Sequence, residues 1–116
     1  MPNDSLFGVH GAALEVRSQR MGVLASNIAN ASTPGFKAQD VDFHTALAAV
    51  ESSSGGNASI TGALQYRVPS QPSLDGNTVE LATEQTAFAE NAVAYQTTLS
   101  FLNGRISQIT RALRGE

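Results

Sequence analysis

From residue 81 onward, core-type side chains recur alternately four and three residues apart: Leu81, Gln85, Phe88, Ala92, Tyr95, Leu99, Leu102, Ile106, Ile109 and Leu113. Nine of these ten are apolar or aromatic. A sustained 3.5-residue repeat is the pattern of a coiled-coil seam, which a left-handed supercoil keeps facing its partner. It commits the last third of the chain to one long helix. That helix spans roughly 50 Å from Val79 to Leu113 at about 1.5 Å per residue. Asp75-Gly76 supplies a turn before it, and Asn77 with Glu80 three residues later has capping-box spacing. Glu80, Glu84 and Glu90 lie early and Arg105, Arg111 and Arg114 late, which suits the helix dipole.

A second face of the same helix repeats every seven residues through Ala87, Ala94 and Phe101, with Val93 beside it. The positions flanking the main seam are small or uncharged: Ala82, Ala89, Asn91, Gln96, Thr98 and Asn103. A free two-stranded coiled coil places charged pairs there to select its partner. The pattern instead predicts contact from more than one side, as in a packed multi-chain array.

The N-terminal segment, about 4–31, repeats the logic. Phe7, Leu14, Met21 and Ile28 are spaced by seven, with His10, Arg17, Leu24 and Ala31 interleaved. Gly8, Gly11 and Gly22 interrupt the pattern, each costing about 1 kcal/mol relative to alanine in a helix interior. A helix so weakened is expected to be completed by neighbours. His10 falls on the seam and reads as an interface or packing histidine, not a catalytic one.

Between the helices the pattern changes. Asp40-Val41-Asp42-Phe43-His44 alternates polar and apolar residues as a short extended segment does. Thr45 to Glu51 has room for one or two helical turns. Residues 52–59 form a Ser/Gly-rich linker, and Leu64, Tyr66 and Val68 alternate as a short strand before Pro69 and Pro72. The expected division is residues 1–36 for the N-terminal helix and its turn, 37–76 for a flexible middle and 77–116 for the C-terminal helix. All belong to one mainly α unit whose terminal helices pair as a coiled-coil-like hairpin around a short loop or β middle. At 116 residues with only 6% aromatic side chains, the chain has little bulk for a self-sufficient core.

Chemistry is sparse. Asp40, Asp42 and His44 would share one side of a strand, as metal ligands can, but no further His or Cys lies nearby, and a solvated edge is the plainer reading. Neither a phosphate loop nor a nucleophile motif is visible, and no cofactor is implied. Net charge is −3, so there is no basic field for nucleic acid. Cysteine is absent, which removes disulfides and thiolate metal sites. No apolar run approaches a membrane span, and the first residues lack the features of a secretory signal.

The string Leu24-Ala25-Ser26-Asn27-Ile28-Ala29-Asn30-Ala31-Ser32-Thr33-Pro34-Gly35-Phe36-Lys37 joins the first helix to a sharp stop. Asn27 and Asn30, three residues apart, project from one helix face. Thr33-Pro34-Gly35-Phe36 reads as a type II turn, with proline presetting φ and glycine supplying the positive φ that follows. Through Asn27, Ile28, Ala29, Asn30, Thr33, Gly35, Phe36 and Lys37 the string resembles the N-terminal signature of the bacterial flagellar rod and hook family. Downstream, residues 37–43, 66–69 and 74–81 and the helical stretch through Phe88 and Tyr95 resemble the short proximal-rod member of that family. The resemblance covers most of the chain outside 45–63.

That resemblance implies a structural, non-catalytic subunit that polymerises through its terminal helices around an export channel. It also implies export without a cleaved signal and a place in the periplasmic rod. The neighbours would be other copies, other rod subunits, the inner-membrane ring and the export gate. On this reading Phe7, Leu14, Met21 and the Leu81–Leu113 seam carry assembly, while Asn27, Asn30 and the Thr33–Lys37 turn fix where the first helix ends. The competing reading is a cytoplasmic coiled-coil adaptor dimerising through the C-terminal heptads, which leaves the Asn27–Lys37 string unexplained.

Overall fold

The computed structural model describes residues 8–52 and 61–115. It is mainly α-helical. Helix α1 (Gly8–Ala29) is followed by strand β1 (Gln39–Val41), helix α2 (Phe43–Ser52), strand β2 (Leu64–Tyr66) and helix α3 (Leu81–Arg114). Asn27 meets Glu84, Arg17 meets Asn91 and His10 meets Phe101, so α1 and α3 run antiparallel. The whole is a rod 65 Å long and 26 by 18 Å across.

Local chemistry accounts for the element ends. Gly8 opens α1 at φ +52°, so only Gly11 and Gly22 of the three glycines lie inside the helix. α2 begins at Phe43, two residues earlier than alternation predicts. The Asp42 carboxylate draws the chain into a helix by accepting from the Thr45 hydroxyl at 3.0 Å, and the Asp42 carbonyl accepts from the Ala46 N–H. α3 ends on Gly115 at φ +77°, whose N–H returns to the carbonyls of Arg111 and Ala112.

The two strands pair antiparallel, with Gln39 opposite Tyr66, Asp40 opposite Gln65 and Val41 opposite Leu64. Strand pairing stops at Tyr66, and Val68 beyond it is exposed. The apolar core lies where α1, α2 and this ribbon meet: Ala12, Val16, Val41, Ala46, Val50 and Ala63, with Phe43, Leu47 and Leu64 around them. Arg17 closes one side, its guanidinium 4.5 Å from the centre of the Phe43 ring.

The face that α3 turns inward is not its most apolar one. Its buried residues are Glu84, Ala87, Asn91, Thr98 and Leu102. Of the heptad seam, Leu102 alone is buried; Phe88, Tyr95, Leu99 and Ile109 are half-buried, and Leu81, Ile106 and Leu113 are exposed. The inward stripe runs instead through Glu84, Asn91 and Thr98, seven residues apart, with Ala87 of the second repeat beside them; Phe101 of that repeat stacks on His10 with ring centres 5.7 Å apart but stays more than half exposed. On α1, Leu14, Met21 and Ile28 are half-buried while Leu24 is fully buried, and Phe7 lies outside the described residues.

Candidate functional site

Nearly every polar group of the Asn27–Lys37 string is engaged within the chain. Asn27 is 1% exposed. Its amide nitrogen donates to the Gln39 carbonyl at 2.7 Å and to Glu84 Oε1 at 2.9 Å, and its Oδ1 accepts from the Gln39 N–H at 3.2 Å. One side chain therefore holds the backbone of β1 in both directions, as a neighbouring strand would, and reaches α3 as well. Asn30 turns back on its own helix, donating to the Ser26 carbonyl, while its Oδ1 accepts from the Thr33 hydroxyl.

The turn has the conformation that its residues demand. Gly35 sits at φ +77°, and the Phe36 N–H donates to the Thr33 carbonyl at 3.2 Å. Residues 75–78 lie against it. The Asp75 carbonyl accepts from Gly35 N–H, the Thr78 N–H donates to the Phe36 carbonyl, and the Thr78 hydroxyl accepts from Ala38 N–H at 2.8 Å. Lys37 donates to the Gly76 carbonyl at 2.6 Å. Ile28 and Phe36 are half-buried; Thr33, Pro34 and Lys37 are exposed at the rim.

Asn77 does something other than its spacing suggests. α3 starts at Leu81, and Glu80 holds the cap position without a side-chain bond to the helix. Asn77 instead points its amide at the end of the other helix, donating to the carbonyls of Asn30, Ala31 and Thr33 at 2.9, 3.1 and 2.8 Å. Those carbonyls lie in the turn that follows α1, where Asn30 and Thr33 also accept the N–H groups of Thr33 and Phe36, so Asn77 ties that turn to the approach to α3 from forty-odd residues away. The capping-box expectation for Asn77 and Glu80 is thereby corrected. Glu80 leaves the helix to accept from the Ser70 N–H and hydroxyl, which lowers its pKa.

Behind the turn lies an ionic network that periodicity does not reveal. Arg20 grips Asp40 with two bonds of 2.8 and 3.0 Å. Arg67 reaches the same carboxylate at 3.0 Å and lies 2.9 Å from Glu84, which is fully buried. Two cations and two carboxylates thus join α1, β1, the end of β2 and α3, with no net charge. Burial by itself would raise the Asp40 pKa, but the Arg20 bonds, the Val41 N–H and the two arginine charges outweigh it and hold the carboxyl below its ordinary value. The bond to Asp40 raises the Arg20 pKa in turn.

Asp40, Asp42 and His44 do not converge. Asp40 is held between the two arginines, Asp42 caps α2 and His44 is exposed on the first turn of α2 beside Phe43. The extended segment that would have aligned them ends at Val41. Among the described residues no three His, Asp or Glu side chains come together, and no helix is long and apolar enough to cross a membrane.

Residues 7–37 match the model of the "Flagella basal body rod protein" family. Over nearly its whole length the chain is similar to the flagellar basal body rod protein FlgB. It is 45% identical to that of Aeromonas hydrophila, with 97% of this chain and 96% of the relative aligned. Identity is 47% with the FlgB of Cereibacter sphaeroides strain ATCC 17029, covering 95% and 94%. With that of Escherichia coli K12 it is 42%, covering 96% and 94%.

Proposed function

The chain belongs to the flagellar basal body rod proteins, and we propose that it is the proximal-rod subunit, assembling through its terminal helices around the export channel. The role is structural. Its partners are further copies and other rod subunits, with the inner-membrane ring and export gate as neighbours. It reaches the rod through the flagellum's own export apparatus, without a cleaved signal.

One observation carries this reading beyond kinship. α3 satisfies its intrachain contacts with a polar, small-residue stripe, and it leaves Leu81, Ile106 and Leu113 of its heptad seam exposed. A monomeric protein would gain by turning that seam inward, since each apolar side chain buried contributes about 1.5–3 kcal/mol. A seam turned outward instead suits neighbouring helices. The asparagines and the Gly35 turn do not spend themselves on neighbours; they fix the angle at which α1, β1 and α3 meet, so that the seam is presented in one geometry.

Fractionation of flagellated cells with and without a working export apparatus tests this. The protein is expected in purified basal bodies of the first and in the cytoplasm of the second. A soluble cytoplasmic dimer in normally flagellated cells would overturn the reading.

A further inference from the structure

The two-stranded ribbon is covered along one edge only. At the two ends of its register the Arg67 N–H donates to the Ala38 carbonyl and the Asp42 N–H to the Ala63 carbonyl, both at 2.9 Å. Bonded and non-bonded positions alternate along an antiparallel pair. Ala38–Arg67, Asp40–Gln65 and Asp42–Ala63 are therefore the bonded pairs. Gln39, Val41, Leu64 and Tyr66 direct their N–H and C=O groups out of the ribbon.

On the β1 side those groups are engaged. The Asn27 side chain bonds both the N–H and the carbonyl of Gln39, and the Val41 N–H donates to Asp40 Oδ1 at 2.7 Å. On the β2 side they are open: among the described residues nothing bonds the outward groups of Leu64 and Tyr66. Among the described elements, β1 alone runs along β2. Gln65 is exposed there, and Tyr66 is 69% exposed.

The two faces of this edge differ. Leu64 packs against the apolar core, and Tyr66 follows it on the same face. Val68, two residues further on, is 87% exposed. Gln65 and Arg67 alternate with them, and Arg67 is held by Asp40 and Glu84. Pro69 has no N–H to offer and ends the edge.

We propose that the outer edge of β2 is a docking site for an extended segment of another protein, which joins the ribbon as a third strand. The open groups define the backbone of the occupant. An N–H and a carbonyl on every second residue match the spacing of an extended chain, and main-chain bonds of this kind supply the affinity in strand addition. The faces define its side chains. Apolar residues at alternate positions lie beside Leu64 and Tyr66 and extend the core outward, while polar residues between them lie beside Gln65. The site uses neither the heptad seam of α3 nor the Gly35 turn, so it goes beyond the subunit packing proposed above.

The test uses the full chain and a short synthetic peptide of alternating threonine and valine, flanked by lysine for solubility and added to about 1 mM. Amide shifts and hydrogen exchange report the contact. The Leu64 and Tyr66 N–H groups are expected to shift and to exchange at least about tenfold more slowly with peptide, while the Asp42 and Arg67 N–H groups, already bonded, hold their rates. The deciding variant is Tyr66→Pro. It removes an outward N–H that takes no part in the ribbon, at a position where an edge strand accepts proline. Peptide binding is expected to weaken at least about tenfold. Tyr66→Ala keeps the N–H and is expected to bind within about threefold of the parent.

Circular dichroism of each variant confirms that it is folded. Unchanged binding by Tyr66→Pro, or an equal loss in Tyr66→Ala, would overturn the proposal, the second by assigning the contact to the ring and not to the backbone. Absence of any peptide effect on the Leu64 and Tyr66 amides would overturn it as well. So would protection of the same two amides that grows with protein concentration alone, which would make a second copy the occupant of the edge.

Discussion

Asn27 and Glu84, fifty-seven residues apart in the chain, meet at 2.9 Å with both side chains out of solvent. Each supplies what the other needs: an amide donor aimed at a carboxylate that Arg67 alone does not saturate. Replacing Asn27 by Ala leaves a Glu84 oxygen short of one donor and frees both backbone groups of Gln39. The expected cost is about 2–3 kcal/mol, read from urea unfolding followed by circular dichroism. Asn27→Asp should be worse, because it sets a second carboxylate against Glu84. Equal stability of Asn27→Asp and the parent would refute this account of the contact.

The Arg67–Glu84 pair should show the asymmetry of buried charges. Glu84→Leu strands the Arg67 guanidinium beside a single carboxylate, and a loss of about 3 kcal/mol is expected. Adding Arg67→Met should restore part of that loss, because the second change removes the stranded charge. Additive losses in the double variant would mean that the two residues do not act as a pair.

How much of this was legible beforehand differs from residue to residue. Gly35 was, because Thr-Pro-Gly-Phe is a local code and φ +77° is what it encodes. The pairing of the long helices and the strand at 64–66 were legible from periodicity. The inward face of α3 was not. Hydropathy points to the seam from Leu81 to Leu113, whereas Glu84 and Asn91 face inward because Asn27, Arg67 and the Arg17 carbonyl await them. Such pairings join residues 17 to 74 apart and leave no periodic trace. Asn77 shows the same limit. Its sequence neighbours favour a cap on the helix that follows, and only the folded chain brings the end of α1 within reach.

Acid should weaken the fold through Asp40. Its pKa is held below the ordinary carboxylate value in the folded protein, so the unfolded chain takes up the proton first as pH falls. The Asp40 contribution is complete above about pH 5 and is lost as pH drops through the folded pKa. Asp40→Asn should lower stability at pH 7 and flatten the acid limb between pH 5 and 2. An acid limb as steep as that of the parent would place the titrating group elsewhere.

Gly35 has no atom within 4 Å of where a Cβ would stand, so substitution there meets backbone strain and no clash with a neighbour. Gly35→Val should cost about 1–2 kcal/mol, Gly35→Asn less, and Pro34→Ala least. Thermal melts should follow that order, as should rod content in purified basal bodies. If Gly35→Val assembles as well as Pro34→Ala, residue 35 does not need its left-handed conformation.

Leu102 and Ile106 lie four residues apart on α3, yet one is 6% and the other 45% exposed. Leu102→Asp buries an unpaired carboxylate and should destabilise the monomer by several kcal/mol. Ile106→Asp should leave the melting temperature within a few degrees and still abolish motility if the outer seam is an assembly surface. Normal swimming halos with Ile106→Asp would remove Ile106 from that surface.

The interlock also sets how the rod responds to force. Sliding α1 along α3 strains the Asn27–Glu84, Asn77–Thr33, Gly35–Asp75 and Ala38–Thr78 bonds together, because all of them cross between the same two stretches of chain. Prising the helices apart from the other end meets the His10–Phe101 stack first and the Asn91–Arg17 bond next, one after the other. The pair therefore behaves like two struts welded at one foot: stiff against shear along its length, compliant to splaying at the far tips, with the signature turn as the fixed corner about which any bending pivots.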